Sequence, residues 1–201
     1  MTKTYKELVW TDEMTTRFWD WQSQFPETYF TNRLGAEIAK NLQPYLAGKK
    51  EVLDFGCGVG CFIPHLANHF QKVFGADTSP ESVRRTNEEN RGVANFDGAC
   101  TIEELLAANR TFDAVTCIEV IEHLYDDHLQ SAVTSVRGLL KEDGVAIFST
   151  PNNEDLSKNM ILCPASGELF HRWQHVRSWN RSNLPAYLTA NGFEVIQVIE
   201  A

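Results

Sequence analysis

Glu119, Glu122 and His123 form an E-x-x-E-H cluster, and two further imidazoles follow at His171 and His175. Carboxylates and imidazoles gathered within a few residues offer oxygen and nitrogen donors that suit a divalent cation once another group joins them. His175 is the candidate for that group, with His171 one helical turn before it. The same imidazoles suit proton transfer, because histidine titrates closest to neutral pH. The competing reading has no metal: Glu119 contacts a cofactor, and Glu122 and His123 cap a helix.

A second chemical signal lies upstream. Gly56, Cys57, Gly58 and Gly60 form a glycine loop directly after the apolar run EVLDF, which contains Asp54. Glycines there let the chain turn tightly and let a ligand approach the main chain closely. Asp54 stands at the end of one predicted strand and Asp77 at the end of the next, 23 residues on. That is where nucleotide-type folds place a carboxylate for ribose hydroxyls. The spacing is G-x-G-x-G rather than G-x-G-x-x-G, and Asp54 would bring a carboxylate close to a pyrophosphate, so a dinucleotide is disfavoured. The bland alternative is that the glycines only let a helix pack closely on a sheet.

The elements needed to position these residues are legible from Lys50 onward. EVLDFG, KVFGAD, a weak ANFDG, FDAVTCIEV and VAIFSTPN alternate with the amphipathic stretches CFIPHLANHF, SPESVRRTNEEN, TIEELLAAN and HLQSAVTSVRGLL. Such alternation predicts βαβ units, hence an α/β fold with a doubly wound, mostly parallel sheet. Asp143-Gly144 reads as a turn before VAIFST, and the tail reads as a helix, a Gly192 cap and a strand, FEVIQVIE. Residues 1–45 carry many aromatics with a helical rhythm near Phe18, Trp21 and Phe25, predicting an N-terminal helical layer or lid. In residues 152–176 the periodicity breaks while Cys163, Phe170, His171, Trp173 and His175 accumulate, which predicts a substrate loop.

Composition narrows the function classes. The 201 residues carry 18 Lys+Arg against 27 Asp+Glu, a formal charge of −9. That balance disfavours a nucleic-acid binder, which needs cations for phosphates. A hydrophobic fraction of 43% excludes wholesale disorder, and no stretch is long and apolar enough to span a bilayer. With no secretory h-region and five irregularly spaced cysteines, the reading is one globular domain over residues 1–201 with reduced thiols, cytoplasmic in location. His65 and His69 fall on a helix whose Phe62, Leu66 and Phe70 serve the core, and His128 beside Asp126 and Asp127 reads as surface. Cys57 lacks a partner base, Cys61, Cys100 and Cys117 read as core fillers, and lone Cys163 cannot close a paired-Cys zinc knuckle.

VLDFGCGVG, VFGADTSPESV and FDAVTCIEVIEHL together resemble the class I S-adenosylmethionine (SAM)-dependent methyltransferases, over roughly Tyr29 to Glu200. The resemblance implies a Rossmann-like fold with Gly56, Cys57, Gly58 and Gly60 along the methionine part of SAM. It places Asp77 on the ribose diol with Thr78 beside it, Phe96, Asp97 and Gly98 by the adenine, and Ile118 and Glu119 near the sulfonium. The set Glu119, Glu122, His123 with His175 is similar to the metal ligands of small-RNA 3′-terminal ribose 2′-O-methyltransferases. HVRSWNRSNL aligns without gaps with the segment after their last ligand, and ubiquinone-pathway O-methyltransferases share much of the E-x-x-E-H pattern.

Methyl transfer from a sulfonium needs alignment and removal of the acceptor's proton. His175, His171 and His123 are candidate bases, and a Mg²⁺, Mn²⁺ or Zn²⁺ ion is the alternative activator. Both routes favour oxygen, hence O-methylation of a small hydroxylated metabolite or glycan-like group. The rivals are an RNA 3′-end ribose methyltransferase, for which Lys158, Arg172, Arg177 and Arg181 form the only local basic cluster, and a non-catalytic SAM-binding module. Class I sheets finish with an antiparallel pair, and here the chain ends after FEVIQVIE. The expectation is a piece of a longer polypeptide, FEVIQVIE itself lying beside the fifth strand, or a second chain covering that edge.

Overall fold

A computed structural model of the chain describes residues 5–200; residues 1–4 of the expected N-terminal layer and Ala201 lie outside the described residues. Five parallel strands form the central sheet: β1 (Glu51–Phe55), β2 (Lys72–Asp77), β3 (Phe96–Thr101), β4 (Phe112–Ile118) and β5 (Leu140–Ser149). Their order is β3-β2-β1-β4-β5. The order reverses between β1 and β4, and the carboxyl ends of that pair open a crevice where open α/β sheets bind ligands. Asp54, in β1, and Glu119, directly after β4, both fall there.

Helices cover both sheet faces: α1 (Asp12–Gln22), α2 (Phe30–Leu42), α3 (Ile63–Ala67), α4 (Pro80–Asn90), α5 (Ile102–Ala107), α6 (Asp126–Gly138) and α7 (Asn183–Ala190). The start signals are local. Ser79 Oγ accepts from the Ser82 amide with Pro80 opening α4, and Thr101 with Glu104 forms a capping box at α5. One core contains Leu53, Phe55, Phe112, Val115, Ile121 and Leu129; another contains Val52, Phe62, Ile63, Leu66 and Val73. Adjacent Val52 and Leu53 are both fully buried, as a strand packed on both faces requires. His65 is an interhelical packing residue, since a Cβ on Gly35 would come within 2.4 Å of its ring.

Three sequence expectations change. Asp143-Gly144 is not a turn before a strand but part of β5, where the register to β4 slips between the Leu140 and Val145 pairings. FEVIQVIE forms no sheet ladder: residues 193–200 run without strand pairing, and among the described residues β5 pairs only with β4. Phe193 packs edge-on against Phe148 with centroids 5.6 Å apart, and Asn152 Nδ2 donates to Glu200 Oε1 at 3.1 Å. Apolar contact and side-chain bonds thus hold this segment, although its β-branched composition reads as strand. The expected irregular loop contains an antiparallel hairpin, β6 (Met160–Leu162) with β7 (Leu169–His171).

Candidate active site

The glycine loop follows β1, and Gly56, Gly58 and Gly60 all take positive φ. The loop is also tightly packed. A Cβ at Gly56 would stand 2.6 Å from Val120, at Gly58 2.8 Å from Tyr29, and at Gly60 2.5 Å from Asn90. Helix–sheet packing is therefore one reason for glycine here, alongside the loop's backbone conformation. The Gly58 amide donates to Asp77 Oδ2 at 2.9 Å and the Ser79 amide to Asp77 Oδ1 at 2.9 Å. Those bonds fix the Asp77 carboxylate against the loop, with exposed Thr78 beside it. Asp54 is buried, accepts from Thr116 Oγ1 at 2.8 Å, and is pushed up to about 7 by burial, with Asp77 adding repulsion. Two carboxylates around one loop fit a ligand with an ammonium, a sulfonium and a ribose diol.

Asp97 does not join this group. β2 and β3 pair Asp77 with Thr101, whereas Phe96 pairs with Val73 at the other end. Phe96, Asp97 and Gly98 therefore open β3 at the edge opposite the glycine loop, where Asp97 accepts from Arg110 Nη2 at 2.7 Å. Cys100 and Thr101 occupy the carboxyl end instead.

The acid–imidazole cluster lies just beyond β4 and β5. Glu122 and His123 sit in a short 3₁₀ turn, Ile121–His123, and neither caps α6, whose N-cap is Tyr125. The Glu122 side chain is 1% exposed, and both of its oxygens lack a hydrogen-bond partner, as does His123 Nδ1. Such orphaned buried groups are costly and call for an explanation such as an ion. Burial, then repulsion from Glu119, raises the Glu122 carboxyl well above its ordinary range. His123 is held neutral, pushed down to about 3 by burial and then by His175. Potential ligand atoms of Glu122, His123 and His175 lie within 4.8 Å of one another, as do those of Glu154, His171 and His175.

Glu119 stands outside both groups, contrary to its expected place as a ligand. It takes φ 54°, and its Oε1 accepts from Ser149 Oγ at 2.7 Å. His171 is a poor base: its Nδ1 accepts from the His175 amide at 3.1 Å and the Trp173 amide at 3.4 Å. The N-terminal layer reaches the cluster through Trp19, not Trp21. Trp19 packs edge-on against His123 with centroids 4.7 Å apart and donates to Gln174 Oε1 at 3.0 Å, while Trp21 is 56% exposed. Gln174 Nε2 donates to the His123 carbonyl at 3.0 Å, so one buried amide joins α1, the 3₁₀ turn and the loop. Sequence reasoning missed Gln174, Ser149 and Glu154. The available signal was position: Ser149 ends β5 and Glu154 follows it, at the same carboxyl edge as Glu119. Glu119, Asn153 and Gln174 are non-glycine residues at positive φ, a strain that clusters at functional sites.

A family model described as a methyltransferase domain matches residues 21–198. Ubiquinone biosynthesis O-methyltransferase of Actinobacillus pleuropneumoniae serotype 5b is 35% identical over 154 residues, 73% of this chain and 64% of the relative. The protein of the same description from Cereibacter sphaeroides is 33% identical over 162 residues, 78% and 64% respectively. The chain thus spans a little under two thirds of the length of these relatives. Among solved structures, the DhpI-SAM-HEP complex superposes with a TM-score of 0.66 at 20% identity, over 92% of this chain and 91% of that one. The methyltransferase domain of bacterial CtHen1-C gives 0.59 at 22% identity, over 78% and 82%. Fold and glycine loop define a Rossmann-like nucleotide-type site, and the chain belongs to the methyltransferase-domain family.

Proposed function

We propose that the chain binds SAM and catalyses O-methylation of a hydroxyl on a small molecule, acting as a single methyltransferase domain. The observation that carries this reading is the buried Glu122–His123–His175 cluster at the same carboxyl edge of the sheet as the glycine loop and Asp77. The relatives named for ubiquinone biosynthesis O-methylation support an oxygen acceptor and a small molecule. Five free cysteines suit a reducing, cytoplasmic setting, and no described helix is long and apolar enough to cross a membrane. Three of the four members of the basic cluster are already paired with acids, which weighs against RNA: Arg177 with Asp126 at 3.0 Å, Arg181 with Glu200 at 3.2 Å and Lys158 with Asp155 at 3.7 Å.

Under this reading Asp77 takes the ribose diol, and the glycine loop with Asp54 faces the methionine end of the cofactor. SAM, once bound, supplies an electrophilic methyl on a good leaving group. The protein's part is to align the acceptor oxygen and receive its proton. Glu122, His123 and His175 also fit a divalent cation, because a donor atom from each lies within 4.8 Å of the others and neither the Glu122 oxygens nor His123 Nδ1 have a hydrogen-bond partner. Mg²⁺, Mn²⁺ or Zn²⁺ held there would lower the pKa of the acceptor hydroxyl.

The test is methyl transfer from radiolabelled SAM to a panel of catechols and sugars, with a 3′-hydroxyl RNA oligonucleotide beside them. Transfer to the small molecules is expected; transfer to RNA alone would overturn the acceptor class. Exhaustive chelation is expected to abolish turnover and added cation to restore it, whereas full activity without metal would remove the cation from the reading. Asp77→Ala is expected to weaken calorimetric SAM affinity roughly 5- to 150-fold, the ~1–3 kcal/mol of a lost charge-assisted bond network. Unchanged affinity would refute the ribose assignment.

A further inference from the structure

Glu154 lies outside the E-x-x-E-H pattern, yet it is the most heavily engaged carboxylate of the cluster. Its Oε2 bonds to His175 Nδ1. Its Oε1 accepts from Asn159 Nδ2 at 3.1 Å and lies 3.4 Å from His171 Nε2. The side chain is 15% exposed, and the preceding residue, Asn153, is held at φ 52° with its amide donating to the Trp179 carbonyl at 2.8 Å. The backbone is therefore pinned where the carboxylate meets two imidazoles.

The hydrogen bonds dictate where each ring carries its proton. His171 Nδ1 accepts from two backbone amides, so it holds no proton, and the neutral ring carries its hydrogen on Nε2, facing Glu154. That removes His171 as a ligand, since one nitrogen is engaged and the other protonated. Glu154, His171 and His175 thus do not make a second cation site in this state, despite the proximity of their donors. His175 Nδ1 meets an acceptor-only carboxylate, so the proton of that ring is on Nδ1, leaving Nε2 with its lone pair.

We propose that Glu154 is the positioning residue of this active site: it fixes the Nδ1–H tautomer of His175 and so presents Nε2 as the working nitrogen. The inference rests on the methyltransferase reading and deepens it. As the acceptor oxygen forms its bond to the methyl carbon, the carbon–sulfur pair leaves with sulfur and the oxygen's proton passes to His175 Nε2. The resulting imidazolium keeps its Nδ1–H on Glu154, whose negative charge offsets the new positive one. If a cation occupies the cluster, the same tautomer provides Nε2 as its ligand, the carboxylate–histidine arrangement that orients metal-bound imidazoles. Asn159 holds the other carboxylate oxygen and keeps Glu154 from turning away.

The decisive measurement is a long-range ¹H–¹⁵N imidazole spectrum of the full chain in mildly alkaline buffer, with His175 and His171 assigned by single His→Gln variants. Six histidines keep it readable. Expected are a protonated Nδ1 and bare Nε2 for His175, and the reverse for His171. In Glu154→Gln the single amide oxygen is expected to take the Asn159 Nδ2 donor, which turns the NH₂ toward His175 Nδ1, and His175 is expected to revert to the Nε2–H form that free imidazole prefers. That variant should lose about 10–100-fold in kcat with the KM for SAM unchanged. A wild-type His175 bearing Nε2–H, or a tautomer indifferent to Glu154→Gln, overturns the proposal. Should Glu154→Gln fail to fold, the two wild-type tautomers still decide it. The spectrum needs neither cofactor nor acceptor, so its failure is distinct from failure of methyl transfer.

Discussion

His175→Ala is expected to lower kcat for methyl transfer by about 10²–10⁴-fold, the usual contribution of a positioned proton acceptor, with SAM affinity within a few-fold of wild type. The separation follows from the layout. His175 belongs to the acid–imidazole cluster beyond β4 and β5, whereas Asp77 is fixed by the Gly58 and Ser79 amides on the other side of β1. His123 cannot substitute as base, because burial holds its pKa at about 3, far below the range of useful proton transfer at neutral pH. Glu122→Gln supplies the contrast. It replaces a buried carboxylate whose oxygens have no partner with an isosteric neutral amide, so the unliganded protein should melt at a higher temperature while turnover falls. Stabilisation with loss of function marks a group kept for chemistry. Full kcat in both variants would refute the assignment of this cluster as the active site.

The sequence reading succeeded where the signal is local and repeated. Strands β1, β2 and β4 are short apolar runs separated by helical stretches, so Asp54, Asp77 and Glu119 could be placed at one sheet edge from order alone. It failed where position depends on a long-range partner. Asp97 went to the wrong edge because FDGACT is a weak outer strand whose register against β2 slips between Val73 and Gly75. Trp19 was passed over because the rhythm of α1 marks Phe18 and Trp21 but does not show that the helix's partner is Gln174, 155 residues from Trp19. Glu154 escaped because it follows a strand in a Pro-Asn-Asn turn, where a carboxylate resembles any solvated loop residue. Its role arises only when the β6–β7 hairpin returns His171 and His175 to it.

SAM affinity is expected to rise with pH through the neutral range, and Asp54 is the cause. In the unliganded protein its pKa is about 7 against an ordinary 3.8, because burial penalises the charge more than the Thr116 hydroxyl relieves it. The titratable neighbours are Asp77, which repels it, and the thiols of Cys57, Cys61 and Cys117, which burial pushes up and keeps neutral. A cationic ligand selects the carboxylate, so below about pH 7 binding must displace a proton. Affinity then climbs by up to about tenfold per pH unit and levels off above that value. Calorimetry in buffers of different ionisation heat should register the released proton directly. The stability linkage runs the other way. A folded-state pKa above the unfolded value contributes stability that is complete below pH 3.8 and lost as pH rises through about 7. Asp54→Asn keeps the acceptor for Thr116 and removes that loss, so above pH 7 the unliganded variant should be more stable by up to a few kcal/mol. Its SAM affinity should be lower and flat with pH. A wild-type affinity flat between pH 5.5 and 8, with no proton released, would show that Asp54 does not face the ligand's positive charge.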